Sequence, residues 1–318
     1  MQSTETFHEP RREDCPWCGS RRLRTRLRVP RRRHHRPGGF AADQCLDCAH
    51  VFQNPRLTPE GLAFHHREFY AGHLEALAER TVTGRSGRRR HQAAARALLA
   101  LPEPESWLDV GTGHGHFPAA VKELFAYTAF DGLDPTPRVE RARRSGRIEE
   151  AHRGRLTTPE ILDRLRSRYD VVSMLHHLEH TPDPRAELHA ALAVLRPGGH
   201  LLVEVPDPHS AFAVLLGKWW PPYGRPRHLH LMPLDNVRAE LESQGCTVIA
   251  TDRREPHTPH DLSAALALAL AHVLPKSWRR AAAPLVSAAT ALDHALAPLL
   301  RRTRFSNSYR VVARKDIA

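Results

Sequence analysis

Trp107-Leu108-Asp109-Val110-Gly111-Thr112-Gly113-His114-Gly115 decides the fold, because a short apolar strand runs there into three alternate glycines and then into a helical stretch. Alternate glycines let the chain turn through positive φ and bring its backbone close to a ligand. Asp134 stands 19 residues beyond Gly115, at the end of the next apolar run. At that distance an acid reaches a ribose hydroxyl across a parallel sheet. The spacing is G-x-G-x-G rather than G-x-G-x-x-G, which favours a nucleoside cofactor without a pyrophosphate over a dinucleotide. Asp109 adds a carboxylate that can orient the turn or accept from a cofactor ammonium.

Outward from this turn, strands and helices alternate. Apolar strands are read at 107–110, 128–134, 148–152, 169–175, 200–205 and 246–252, with helices at 116–125, 137–145, 184–195 and 234–244. Short, wholly apolar strands between helices predict a doubly wound α/β sheet buried on both faces. Ligands of such sheets bind at the carboxyl ends of the strands, which brings Leu175 and His176 to the cofactor. Upstream, helices are expected at 60–80 and 91–101, joined by a flexible Gly/Ser/Arg link at 81–90.

The cysteines Cys15, Cys18, Cys45 and Cys48 form two C-x2-C pairs separated by 26 residues, with Cys246 far away. Four thiols so spaced suit a tetrahedral zinc site, and a closed four-thiolate shell leaves no open position for catalysis. The expected cofactor is therefore a structural Zn2+. His50 is expected on the surface beside it, and Cys246 inside a strand.

The chain of 318 residues has 47 Lys and Arg against 35 Asp and Glu, and nine arginines fall between Arg21 and Arg36. Such a run can meet phosphates, acidic lipids or an acidic substrate, or fill ordinary surface positions. No apolar stretch of about 20 residues is uninterrupted, and the first residues lack an apolar signal core, so a cytoplasmic protein is expected.

Several motifs, in order, resemble the class I S-adenosylmethionine-dependent methyltransferases. They are D-x-G-x-G-x-G at Asp109–Gly115, G-x-D at Gly132–Asp134, Tyr169-Asp170, Leu178-Glu179-His180-Thr181-Pro182-Asp183-Pro184, and Leu195-Arg196-Pro197-Gly198-Gly199. The front end resembles a subgroup in which a zinc ribbon precedes that domain. The resemblance implies a Rossmann-like seven-stranded sheet whose last, antiparallel strand is 308–314. The domains would be a zinc ribbon at 1–56, a helical linker or lid at 57–105, and the methyltransferase domain at 106–318 with a helical insertion at 261–302. S-adenosyl-L-methionine would be held by Asp109, Gly111, Thr112, Gly113, Gly115, Asp134, Pro135, Leu175 and His176. Asp131, the nearer acid, ranks below Asp134.

Methyl transfer needs in-line alignment, and a base only for a protonated acceptor. His180 is the expected base, with Glu179 beside it and His228 facing the acceptor. In ubiquinone-biosynthesis O-methyltransferases a Glu-x-x-Glu-His run binds a divalent metal, and a histidine, His176, replaces its first glutamate here. Trp219, Trp220, Tyr223, Arg225 and Arg227 suit a flat or anionic acceptor, or lid packing. Leu285, Ala289, Leu292, Leu296 and Leu299 form one apolar stripe, fit for a core, a homodimer seam or a membrane surface. The expected activity is methylation of an oxygen or carbon of a small molecule. RNA methylation and a non-catalytic interaction module stay open.

Overall fold

The computed structural model describes residues 7–29, 40–70, 85–223, 227–253, 258–275, 278, 281–300 and 302–317. In chain order the elements begin with β1 (Leu23–Val29), β2 (Phe40–Cys45), β3 (Val51–Gln53), α1 (Pro59–Tyr70), α2 (Arg85–Ala95), β4 (Ser106–Val110) and α3 (His116–Val121). Next come β5 (Ala129–Asp134), α4 (Arg138–Arg144), β6 (Ala151–Arg153), α5 (Pro159–Leu165), β7 (Tyr169–Leu175), α6 (Pro184–Val194) and β8 (Leu195–Pro206). The chain closes with α7 (Ala211–Leu216), β9 (His230–Leu231), α8 (Leu234–Ser243), β10 (Cys246–Asp252), α9 (Asp261–Val273), α10 (Ala283–Leu300) and β11 (Ser308–Lys315). Arg31, Arg32, Arg33, Arg36, Arg225, Lys276, Arg279, Arg280 and Arg301, the second half of the expected 60–80 helix, and 81–84 lie outside the described residues.

The chain divides into two compact units. Unit 1 comprises 1–71, 206–236 and 256–309; unit 2 comprises 72–205, 237–255 and 310–318. The ribbon thus clusters with two segments that come about 150 or more residues after it.

Unit 2 is built on a seven-stranded sheet in the order β10-β11-β8-β7-β4-β5-β6. The pairs β4–β5, β4–β7, β5–β6 and β7–β8 are parallel, while β11 runs antiparallel to β10. This is the expected α/β architecture, last strand included. Its core centres on the fully buried Trp107, ringed by Phe117, Phe125 and Phe130 at centroid distances of 5.3–5.8 Å. Ala94, Ala95 and Leu98 complete the same core. One expectation fails here: residues 85–90 are helical rather than a flexible link. Local Gly and Ser argue against a helix, but burying Ala94 and Ala95 at the end of α2 overrides that propensity.

Unit 1 holds a second sheet, β1-β2-β3-β9, in which His230–Leu231 pairs antiparallel with β3. One face of it packs Leu27, Ala42, Val51 and Leu231 against Phe212, Trp220 and Tyr223. The Arg26 guanidinium lies 5.2 Å from the Tyr223 ring centroid. Trp220 is fully buried and donates to Asp261 (2.9 Å), which makes it a packing residue. His50 is a correction. It is fully buried, not on the surface, with Nε2 3.0 Å from His230 Nδ1 and its ring against Trp17. Burial, then His230, drives its pKa well below the ordinary range, so it packs as a neutral imidazole.

By length and composition one described helix, Ala283–Leu300, could cross a bilayer.

Candidate active site

The glycine turn leaves β4 with φ of +77°, +53° and +70° at Gly111, Gly113 and Gly115. Two of these positions are closed by sterics as well: a Cβ on Gly111 would stand 2.5 Å from His177 Nδ1, and one on Gly115 3.0 Å from the Ala142 Cβ. Gly113 differs, since a Cβ there would meet nothing within 4 Å. The amides of Gly111 and Thr112 both donate to the Leu133 carbonyl (2.8 and 3.2 Å), which ties the turn to the end of β5.

Asp134 sits at that end, 7% exposed. Its Oδ2 accepts from the Gly113 amide (3.1 Å), and its Oδ1 from the Thr136 amide (2.8 Å) and hydroxyl (2.5 Å). Each carboxylate oxygen offers about two acceptor sites, so Oδ1 is filled, one site on Oδ2 stays open to a ligand hydroxyl, and a second opens where a ligand hydroxyl replaces that of Thr136. Pro135, next to it, is exposed. The open space at Gly113 and the carboxylate beside it therefore fit an adenosine-type cofactor. Asp131 is committed elsewhere: it accepts from Tyr169 Oη (2.9 Å), the Glu150 amide (3.0 Å) and Arg168 (3.4 Å).

Asp109 lies beneath the turn, 3% exposed, and accepts from Ser173 Oγ (2.7 Å), which accepts in turn from Trp107 Nε1 (2.9 Å). Burial pushes its carboxyl up to about 6, against the opposing hydrogen bond from Ser173. A buried chain of this kind fixes the strand end without reaching solvent.

At the end of β7, His176 takes φ +51°, a left-handed conformation that is uncommon for a residue with a Cβ. Its amide donates to the Glu204 carbonyl (2.7 Å). The ring lies between two buried carboxylates, Nδ1 3.3 Å from Glu179 and Nε2 3.4 Å from Glu204. Burial alone would lower its pKa, but Glu179 and Glu204 outweigh burial and lift it to about 9. Burial likewise opposes ionised Glu204, yet Arg310 and His176 hold it at about 2. Arg310 reaches Glu204 at 2.8 Å and the Ala93 carbonyl of α2 at 3.1 Å.

Both nitrogens of His176 are thus engaged by carboxylates, as suits an imidazolium rather than a metal ligand. Linkage gives the sign: a histidine raised above its ordinary pKa of about 6.5 stabilises fully below that pH, and the gain is lost as pH rises through about 9. Melting curves from pH 6 to 10 should show a fall in Tm through pH 9 that is smaller in His176→Gln.

Leu178–His180 form a short 3-10 turn, with Glu179 1% exposed and His180 partly exposed. Asp183 caps α6 by accepting from the amides of Arg185 and Ala186 (both 3.0 Å), with Pro184 at the first helical position. Unit 2 therefore gathers Asp109, Gly111–Gly115, Asp134, Leu175, His176, Glu179 and His180 at the carboxyl edge of one sheet. His228 belongs to unit 1, where it is 9% exposed. A cavity of about 440 Å³ between Leu98, Pro104, Asp170 and Pro197 opens at the opposite, amino end of the strands and shares no residue with this cluster.

Sequence reasoning missed Glu204 and Arg310. The available signal was a lone charge in each of two otherwise apolar strand runs, 201–206 and 308–313, which inside a sheet demands a partner.

In the ribbon, Cys15 Sγ lies 3.6 Å from Cys48 Sγ, as does Cys18 Sγ from Cys45 Sγ, and all four lie within 4.8 Å of one another. Zn–S bonds of about 2.3 Å in a tetrahedron place sulfurs about 3.8 Å apart, so the donor set fits one four-coordinate thiophilic ion. The Trp17 amide points at Cys15 Sγ (3.4 Å).

Comparison with known proteins identifies the family and the fold. The profile of a family described as a methyltransferase domain matches residues 85–251, just over half of the chain. The ubiquinone biosynthesis O-methyltransferase of Alkalilimnicola ehrlichii is 36% identical over 72 residues, which are 22% of this chain and 29% of that protein. The protein of the same name in Erwinia tasmaniensis is 44% identical over 45 residues, 14% and 18% of the two chains. The matched stretch thus spans less than a third of these curated relatives. The crystal structure of the plantazolicin methyltransferase BamL, in complex with a triazolic desmethylPZN analog and SAH, aligns at TM-score 0.52 and 12% identity. That alignment covers 80% of this chain and 95% of BamL, a likeness of fold.

Proposed function

Because the chain belongs to the methyltransferase-domain family, we propose that it is a working S-adenosylmethionine-dependent methyltransferase that methylates an oxygen or carbon of a small, hydrophobic or anionic acceptor. The observation that carries this reading is the pairing of open space at Gly113 with the Asp134 carboxylate at the carboxyl edge of the sheet. Asp134 would hold the ribose hydroxyls, and the Gly111–Gly115 backbone would meet the amino acid part. Asp109 would support that loop from beneath, and Thr112, Pro135, Leu175 and His176 would complete the wall. When bound, the cofactor supplies an electrophilic methyl group on a sulfonium.

His180 would remove the proton of an acceptor hydroxyl as general base. Glu179, paired with His176, positions that corner, and His228 is assigned to the acceptor by its place in the sequence. An oxygen nucleophile is supported by the two relatives being ubiquinone biosynthesis O-methyltransferases. Cys15, Cys18, Cys45 and Cys48 would hold one structural zinc ion.

The test is incubation with methyl-tritiated S-adenosylmethionine and a panel of phenols, isoprenoid phenols and carboxylic acids, read by scintillation and mass. A product one methyl heavier, reduced at least 100-fold in kcat by His180→Ala, supports the assignment. Label appearing only in RNA, or in nothing while the cofactor binds, overturns it.

A further inference from the structure

Helices α9 and α10 of unit 1 bury their carboxylates, and α10 turns leucines outward. Asp293, the one Asp, Glu, Lys or Arg in the 18 residues of α10, is 2% exposed and accepts from the amides of Leu262 (3.1 Å) and Ser263 (2.8 Å) at the start of α9. Asp261 is equally buried, accepting from Trp220 and Asn307. Outward stand Leu285, Leu292 and Leu299, 60%, 48% and 69% exposed. Seven residues apart, they lie on one side of the helix. Val273, the last residue of α9, and Trp278, in the connection to α10, are 74% and 64% exposed. A folded protein in water rarely turns leucines out and carboxylates in along one helix.

Charge says what covers this face. Unit 1 carries 22 Lys and Arg against 12 Asp and Glu, whereas unit 2 carries 25 against 23, so nearly all of the net charge of +12 resides in unit 1. Between residues 258 and 309 the sequence has six Lys and Arg, Lys276, Arg279, Arg280, Arg301, Arg302 and Arg304, and only the two buried acids. The bases flank the two ends of α10, and Arg302 and Arg304 are exposed. Hence every exposed formal charge of the hairpin segment among the described residues is positive.

We propose that this hairpin lies flat on an anionic lipid bilayer, with its leucines and Trp278 in the acyl boundary and its arginines on acidic headgroups. Two copies of the face would set bases against bases, which argues against a homodimer seam. Spanning is disfavoured too: it would carry Asp293 to the bilayer centre and strip the cap from α9. The inference does not rest on the identity of the acceptor.

Flotation of the full chain with vesicles tests it, comparing phosphatidylcholine alone with phosphatidylcholine containing 30% phosphatidylglycerol. Partitioning should be at least tenfold stronger on the anionic vesicles. Leu285→Gln/Leu292→Gln/Leu299→Gln should lower it at least tenfold, and Arg302→Gln/Arg304→Gln about fivefold per arginine, with unchanged melting. Brominated lipid should quench fluorescence that Trp278→Phe removes. Absence of vesicle binding overturns the proposal. So does binding indifferent to the leucines, as a nucleic-acid-binding basic face would give, or a dimer that the triple leucine change converts to monomer.

Discussion

Asp134→Ala is expected to weaken S-adenosylhomocysteine binding at least 100-fold while the fold survives. A carboxylate accepting from two ribose hydroxyls contributes roughly 1.5–3 kcal/mol per charged hydrogen bond, so losing both costs roughly 3–6 kcal/mol. In the free protein the same carboxylate accepts from the Gly113 amide and from the amide and hydroxyl of Thr136, so its removal also lowers stability, by roughly 1.5–3 kcal/mol per charged hydrogen bond that is not replaced by water. Binding is therefore read at a temperature where the melting curve shows the variant folded. Asp134→Asn keeps one acceptor oxygen and should fall between the wild type and alanine. Equal binding by wild type and Asp134→Ala in calorimetry would remove this residue from the site.

The second large effect is expected from the four thiols. One zinc per chain should be found by elemental analysis, and Cys45→Ser should carry none. Structural zinc in ribbon-sized units accounts for about 10–16 kcal/mol of apparent binding energy that is also folding energy, so the substitution should unfold β1–β3. The consequence extends beyond residues 1–56, because β9 pairs with β3 and His230 packs on His50 within unit 1. Limited proteolysis should open both 1–56 and 206–231. Cofactor affinity should stay within about threefold, since every residue assigned to the cofactor lies in unit 2. A metal-free wild type with an unchanged melting profile would contradict the zinc assignment.

These expectations separate what the sequence made legible from what it hid. The glycine turn, the strand at 169–175 and the helix at 184–194 were readable because buried parallel strands are unbroken apolar runs and Asp183-Pro184 is a local helix start. The four cysteines were readable because their spacing is local to the chain. What stayed hidden depends on distant partners. His50 is buried by a strand that arrives 180 residues later, and Glu204 meets Arg310 across 106 residues. The leucine stripe of α10 was visible as a stripe, yet its outward orientation follows from Asp293 turning inward to cap α9. No local pattern states which face of an apolar helix a buried acid will claim.

The most direct measurement is calorimetric titration of the folded, metal-loaded wild type with S-adenosylhomocysteine. The account predicts one site per chain with a roughly micromolar Kd, about −8 kcal/mol. No heat and no shift in melting temperature at saturating ligand would contradict it, leaving a methyltransferase fold that holds no cofactor.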